Sequence, residues 1–235
     1  MMSEETKDQG RAGSTTKRIY EFIRSEDLTL GDSLPSEMEL AKRLEVGRGA
    51  VREALRALEA LHVIDSGNGR RARVAGIDPN ALAILIDHAI RTGQVTTQQV
   101  LDVRRSIEMR AIHLAAIRRS EEEAQQIVRL AAEMMDNLPD RQILSRLDVA
   151  FHRAIGLASR NPMYDLFIGS FSAVMNESGP IGWQTRPSDE ELVAIIKQHT
   201  DIAEAVRDTD PTAAEAAMSD HFDMTVRALI NSGYQ

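Results

Sequence analysis

Apolar positions in this chain recur at spacings of three and four almost throughout, and they change to strand-like runs over one short stretch only. Ile19, Phe22 and Ile23 set a first helix over about 14–25. Leu28 to Pro35, with Gly31 and Pro35, is punctuated as a loop. Ser36 and Glu39 have the N-cap and N3 spacing of a capping box, so a second helix is predicted from there to about Glu45. Gly47 and Gly49 interrupt it. Val51, Ala54, Leu55, Leu58 and Leu61 then define an amphipathic third helix from Ala50 to about His62, which stands at the start of a hairpin and is read as structural. Val63–Ser66 and Arg71–Val74 flank Gly67-Asn68-Gly69-Arg70, where Gly and Asn supply the positive φ of a tight turn.

Beyond Ile77-Asp78-Pro79 every periodic segment is helical. Pro79 suits a first helical position and Gly93 a stop, and further helices are predicted at about 97–118, 121–137, 140–159, 162–176, 189–208 and 211–232. Ser120 with Glu123 and Ser188 with Glu191 repeat the capping-box spacing, Pro139, Pro162 and Pro211 mark helix starts, and 177–187 is the one long loop. The expected fold is mainly α. A polar lead-in at 1–13 is expected to be disordered, 14–76 to form a winged helix-turn-helix, and 77–235 to form an all-helical bundle.

Composition narrows the chemistry. The chain has 235 residues, 43% apolar, and no cysteine, which removes disulfides, thiolate nucleophiles and sulfur-ligated zinc. The longest uninterrupted apolar run, Ala81–Ile86, is far shorter than the ~20 residues of a membrane span. A soluble cytoplasmic protein is expected. The net charge of −8 argues against nucleic-acid binding until it is divided. Residues 1–76 hold 13 basic and 13 acidic side chains, whereas 77–235 hold 15 and 23, so the whole deficit lies in the second part. Residues 40–76 hold 8 basic against 4 acidic. Two modules with different partners are implied.

In the first module, Arg48, Arg52 and Arg56 stand at i, i+4 and i+8, forming a stripe opposite Val51, Leu55 and Leu58. Arginine offers a bidentate fork to guanine O6/N7 or to phosphate, the chemistry a recognition helix needs. The hairpin tip adds Asn68, Gly69, Arg70 and Arg71 within reach of a groove or backbone. A charge stripe by itself is as consistent with a solvated helix face. Leu34-Pro35-Ser36-Glu37, Glu39-Leu40-Ala41, Val46, Arg48, Val51-Arg52-Glu53-Ala54-Leu55, Leu58-Glu59 and Gly67-Asn68-Gly69 resemble the N-terminal signature of the GntR family of bacterial transcription regulators. The resemblance implies DNA contacts from Arg48 and Arg52 and from the Asn68-Gly69 wing. Met38 stands where the family commonly has Arg, and Gly47 and Gly49 where Ser or Thr is usual. Glycine removes hydroxyl donors but permits close backbone approach to phosphate at a helix start, so DNA binding is expected to persist with altered affinity or sequence preference.

In the second module, Asp148 and His152 are one turn apart among Leu144, Leu147, Phe151 and Ile155. His199 shares a face with Leu192, Ile195, Ile196, Ile202 and Val206, and His221 one with Ala214, Ala217 and Met218. Each histidine alone fits a hydrogen-bonded core residue. Together, three imidazoles and one carboxylate on three helices suit a divalent transition metal, Zn²⁺ foremost, with Ni²⁺ or Mn²⁺ also compatible. His88 and His113 fall outside the pattern.

Arg104 with Ile107-Glu108, Leu114-Ala115-Ala116, Asp148 with Phe151-His152, Asn161-Pro162, His199 and His221 resemble the C-terminal sensor domain (FCD type) of the FadR-like branch of that family. The resemblance implies a small carboxylate effector bound through a metal on Asp148, His152, His199 and His221, with Arg104 beside it. From spacing, an intrahelical bridge from Arg104 to Glu108 is an equal alternative. The expected function is a homodimeric regulator of a palindromic operator, and not an enzyme. Two competitors are a metal-dependent hydrolase, for which Glu108 is the obvious general acid or base, and a constitutive DNA-binding protein with a structural metal.

Overall fold

The computed structural model describes residues 4–67, 70–138, 140–177 and 188–231. The chain divides into two compact units, Met1–Ala81 and Leu82–Gln235. The division lies five residues beyond the expected boundary at 76, inside a helix.

The first unit contains α1 (Glu4–Ser25), α2 (Glu37–Arg43), α3 (Arg48–Ala60) and a two-stranded antiparallel hairpin of β1 (Ile64–Asp65) and β2 (Arg73–Val74). α1 begins at Glu4, ten residues before the start expected at Ser14. Residues 4–13 hold no proline and several good helix formers, so the helix anchored by buried Ile19, Phe22 and Ile23 propagates backward. Those three pack with Leu34, Leu40, Val51, Ala54, Leu58 and Ile64 as one core. α2 is capped by Ser36, whose Oγ accepts from Glu39 N at 3.2 Å. The Glu39 carboxylate instead takes Arg43 at 2.7 Å.

Two further differences concern turns. The segment read as a loop before Pro35 joins the hairpin: Ser33 bridges to Arg73, Leu34 N donates to Ala72 O at 2.8 Å and Val74 N to Asp32 O at 2.9 Å. β2 thus has a neighbour on each side. α3 starts at Arg48, two residues before the expected Ala50, with Gly47 as its N-cap. Amides of a first helical turn have no intrahelical partner, so Gly49 disrupts nothing there. Leu61, assigned to the helix's apolar face, is exposed at the C-cap position.

α4 (Pro79–Arg91) ends before Gly93 at φ +69°. Asp78 Oδ1 accepts from Asn80 N at its start, and Asp78 Oδ2 lies 3.0 Å from His62 Nδ1. The second unit continues with α5 (Thr97–Arg118), α6 (Glu121–Asp136), α7 (Arg141–Ala158), α8 (Pro162–Glu177), α9 (Asp189–Arg207) and α10 (Pro211–Asn231). Capping boxes at Thr96/Gln99 and Ser120/Glu123 fix two of the starts, and Asp140 caps α7. α5 packs against α7, α8, α9 and α10. Their shared core includes Ile112, Phe151, Ile155, Ile196, Met218 and Phe222. α7 and α8 touch through Gly156, where a Cβ would stand 3.2 Å from the backbone of Asp165. Arg153 clamps the same Asp165 with two hydrogen bonds, at 2.8 and 3.0 Å. Among the described residues no helix is long and apolar enough to cross a membrane.

Candidate functional site

In the first unit, the 3.6-residue repeat of α3 buries Val51, Ala54 and Leu58, and so turns Arg48, Arg52 and Arg56 outward. Among the described residues Arg48 and Arg52 make no hydrogen bond or ion pair, while Arg56 holds Glu53 at 2.9 Å. Gly47 and Gly49 lie at the exposed start of this helix, and a Cβ at either would meet nothing within 4 Å. Nothing inside the free protein needs glycine there; the open space is available to a bound partner. Met38 is 67% exposed. Arg70 and Arg71 are exposed on the hairpin, whereas the expected tip, Asn68 and Gly69, lies outside the described residues.

The second unit brings together all four residues singled out as metal ligands. Asp148 and His152 come from α7, His199 from α9 and His221 from α10, and one ligand atom from each lies within 4.8 Å of the others. His152 and His199 are fully buried and His221 nearly so, while Asp148 keeps 23% of its side chain exposed. The carboxylate is therefore the open side of the cluster. Asp148 Oδ1 lies 3.0 Å from His199 Nε2 and 3.6 Å from His152 Nε2. The ring centroids of His199 and His221 are 4.6 Å apart, and Phe151 stands edge-on to both His152 and His199.

Outer contacts orient two of the rings. His199 Nδ1 donates to Ile195 O at 2.8 Å, leaving Nε2 for the cluster. His152 Nδ1 donates to Glu108 Oε2, and Glu108 Oε1 accepts from Arg104 Nε at 2.5 Å. Arg104 therefore makes the intrahelical bridge to Glu108 through its Nε. It is nearly buried, with its guanidinium 5.6 Å from the centre of the Phe222 ring. Glu108 has both oxygens engaged, so it does not face water as the base a hydrolase would require.

The electrostatics follow from this packing in the metal-free protein. Burial pushes the Asp148 carboxyl up, but the neighbouring His152 and the hydrogen bond and charge of His199 outweigh it and hold it well below its ordinary value. Burial likewise opposes ionisation of Glu108, and Arg104 and His152 reverse it. Burial pulls His152 down, yet the Glu108 charge, its hydrogen bond to Glu108 and the nearby Asp148 carboxylate raise it to about 9. His221 is held well below its ordinary value by burial and by the neighbouring imidazoles, so it is neutral.

The donor set fits a divalent transition metal. Two buried ring nitrogens of the cluster, His152 Nε2 and His221 Nδ1, have no hydrogen-bond partner. Buried polar atoms without partners are costly, and imidazole nitrogens beside a carboxylate are what a divalent cation satisfies, displacing the proton that His152 otherwise carries. His113 pairs with Glu215 at 3.0 Å and His88 is exposed; neither joins the cluster. Spacing connects Glu108 only to Arg104 or to a catalytic role, because its separation of 44 positions from His152 carries no local signal.

Comparison with known proteins places this chain among transcription regulators. The family model for bacterial regulatory proteins of the gntR family matches residues 12–74, and that for the FCD domain matches residues 99–224. The HTH-type transcriptional regulator LutR of Bacillus subtilis is 29% identical over 217 residues, covering 91% of this chain and 97% of its own. The HTH-type transcriptional repressor NanR of an Enterobacter species is also 29% identical, covering 88% and 80%. Among solved structures, Streptococcus agalactiae GntR is similar with a TM-score of 0.67 at 25% identity, over 92% of this chain and 99% of the other.

Proposed function

This chain belongs to the gntR family of bacterial regulatory proteins, with an FCD domain behind its DNA-binding module, and we propose that it regulates transcription in response to a small carboxylate. It is a transcription regulator, not an enzyme. In the proposed scheme Arg48, Arg52 and Arg56 read the major groove, Gly47 and Gly49 let backbone amides approach a phosphate, and Asn68, Gly69 and Arg70 form the wing contact. The exposed, unengaged Arg48 and Arg52 support this assignment.

Asp148, His152, His199 and His221 would hold one divalent cation, with Zn²⁺ the best match to three imidazoles and a carboxylate. When bound, such an ion supplies a Lewis-acidic point for a carboxylate oxygen of the effector. Arg104 supplies the complementary guanidinium. The single observation that carries this reading is the convergence of the four side chains within 4.8 Å around ring nitrogens that lack protein partners. An effector that binds the DNA-bound form more weakly than the free form releases operator, and the reverse preference strengthens binding.

A homodimer on a palindromic operator completes the proposal. It is supported by α4, which buries only Ala83 while Ile84 and Leu85 face solvent. A second copy is the occupant that a two-fold operator supplies. The regulator would act in the cytoplasm. The test is a thermal-shift screen of mono-, di- and hydroxycarboxylates on Zn²⁺-loaded protein, followed by operator titration with any hit. A hit that raises the melting temperature and changes operator affinity supports the scheme. Carboxylates that bind without changing operator affinity would leave the constitutive DNA-binding protein in its place.

A further inference from the structure

Glu108 is the one carboxylate on α5 that is wholly withdrawn from water, and it has two partners on two helices. Arg104, one turn earlier on the same helix, takes Oε1. Neutralising a buried guanidinium requires no more than that. The second oxygen nevertheless stands against Nδ1 of His152, on α7. A neutral imidazole that donates from Nδ1 keeps its lone pair on Nε2 and so can ligate from there, and His152 Nε2 is the atom on the Asp148 side, buried and without a hydrogen bond.

The three rings are supported unequally. His199 donates to a neutral carbonyl of its own helix, and His221 Nδ1 has no hydrogen-bond partner. His152 leans on a charged group through its Nδ1, the nitrogen away from Asp148. We propose that Glu108 is a positioning residue of the metal centre: it locks the His152 ring with Nε2 toward the cluster, and by sharing its carboxylate with Arg104 it ties that guanidinium to the metal-binding residues. The proposal rests on the reading of Asp148, His152, His199 and His221 as ligands. A carboxylate behind a ligating imidazole fixes its tautomer and raises its donor strength, and its removal lowers metal affinity by about 10–100-fold.

A purely structural role for Glu108, balancing Arg104, makes a different prediction. The test compares wild type, Glu108→Gln, and the double variant Arg104→Gln/Glu108→Gln, in which no unpaired charge remains buried. Co²⁺ affinity is read by competition with a chelator, the ligand-field absorption bands report the coordination, and thermal melting of the metal-free proteins reports folding. The expected result is one Co²⁺ per wild-type chain, with both variants binding about 10–100-fold more weakly and with altered bands, the double variant melting close to wild type. A double variant with wild-type affinity and bands would reduce Glu108 to a counter-ion. In parallel, long-range ¹⁵N–¹H correlation on Zn²⁺-loaded wild type reads the His152 tautomer without any substitution. A proton on Nδ1 is expected, and a proton on Nε2 overturns the proposal. A wild type that binds neither ion refutes the ligand reading itself, which separates the two failures.

Discussion

Asp148 on α7 reaches His199 on α9 across the bundle core, with Oδ1 3.0 Å from Nε2. The contact joins residues 51 positions apart, and it aligns a carboxylate with a nitrogen whose ring is already held from behind by Ile195. Removing either end should disable the cluster. His199→Ala is expected to lose stoichiometric metal by elemental analysis, while Leu157→Ala, an exposed site on α7, retains it. One full equivalent of metal remaining in His199→Ala would remove this residue from the ligand set.

On the DNA-binding face, Arg52→Ala should weaken operator binding by about 1–3 kcal/mol, roughly 5–150-fold, if its fork meets a base. Arg56→Ala should cost less, because Arg56 already shares its charge with Glu53. Fluorescence anisotropy on an operator duplex at fixed salt ranks the two. Equal losses would make both phosphate contacts.

Gly156 and Gly49 should respond oppositely to alanine. At Gly156 the new methyl meets the Asp165 backbone at 3.2 Å and Ile168 at 3.1 Å, and overpacking of this kind costs about 1–3 kcal/mol. At Gly49 the methyl enters open space in a helix, where Ala is favoured over Gly by up to about 1 kcal/mol. Melting temperatures should fall for the first and hold or rise for the second.

In chelator-treated protein, His152 should give stability a pH dependence of known sign. Its folded pKa, about 9, lies above the ordinary 6.5. Its contribution is therefore full below about 6.5 and is lost as pH rises toward 9. His221, depressed by burial, is neutral folded and unfolded in that window and adds no slope. Wild type should lose more melting temperature than His152→Gln between pH 7 and 9; parallel curves would contradict the assignment. Reloading with Zn²⁺ should release protons, read as a dependence of binding enthalpy on the buffer's ionisation enthalpy.

Local signals were well preserved in the sequence. The caps at Ser36 and Ser120 and the stop near Gly93 were legible because each depends on a few adjacent residues. Two differences share the opposite cause. The 31–34 segment pairs with β2 because Arg73 and Val74 present a free edge from 40 residues away, and α1 extends to Glu4 because its anchored half nucleates the rest.

The mainly helical class, the division of charge between two modules, the arginine stripe and the four polar residues on apolar helix faces are all readable along the chain. Those features follow from periodicity and composition, which each helix carries alone. Tertiary packing decided which side chains meet. It closed Asp148, His152, His199 and His221 to within 4.8 Å, and it turned Glu108 from a one-turn partner of Arg104 into a carboxylate shared with His152. That outcome depends on how α5, α7, α9 and α10 bury their faces against one another, and no spacing along a single helix encodes it.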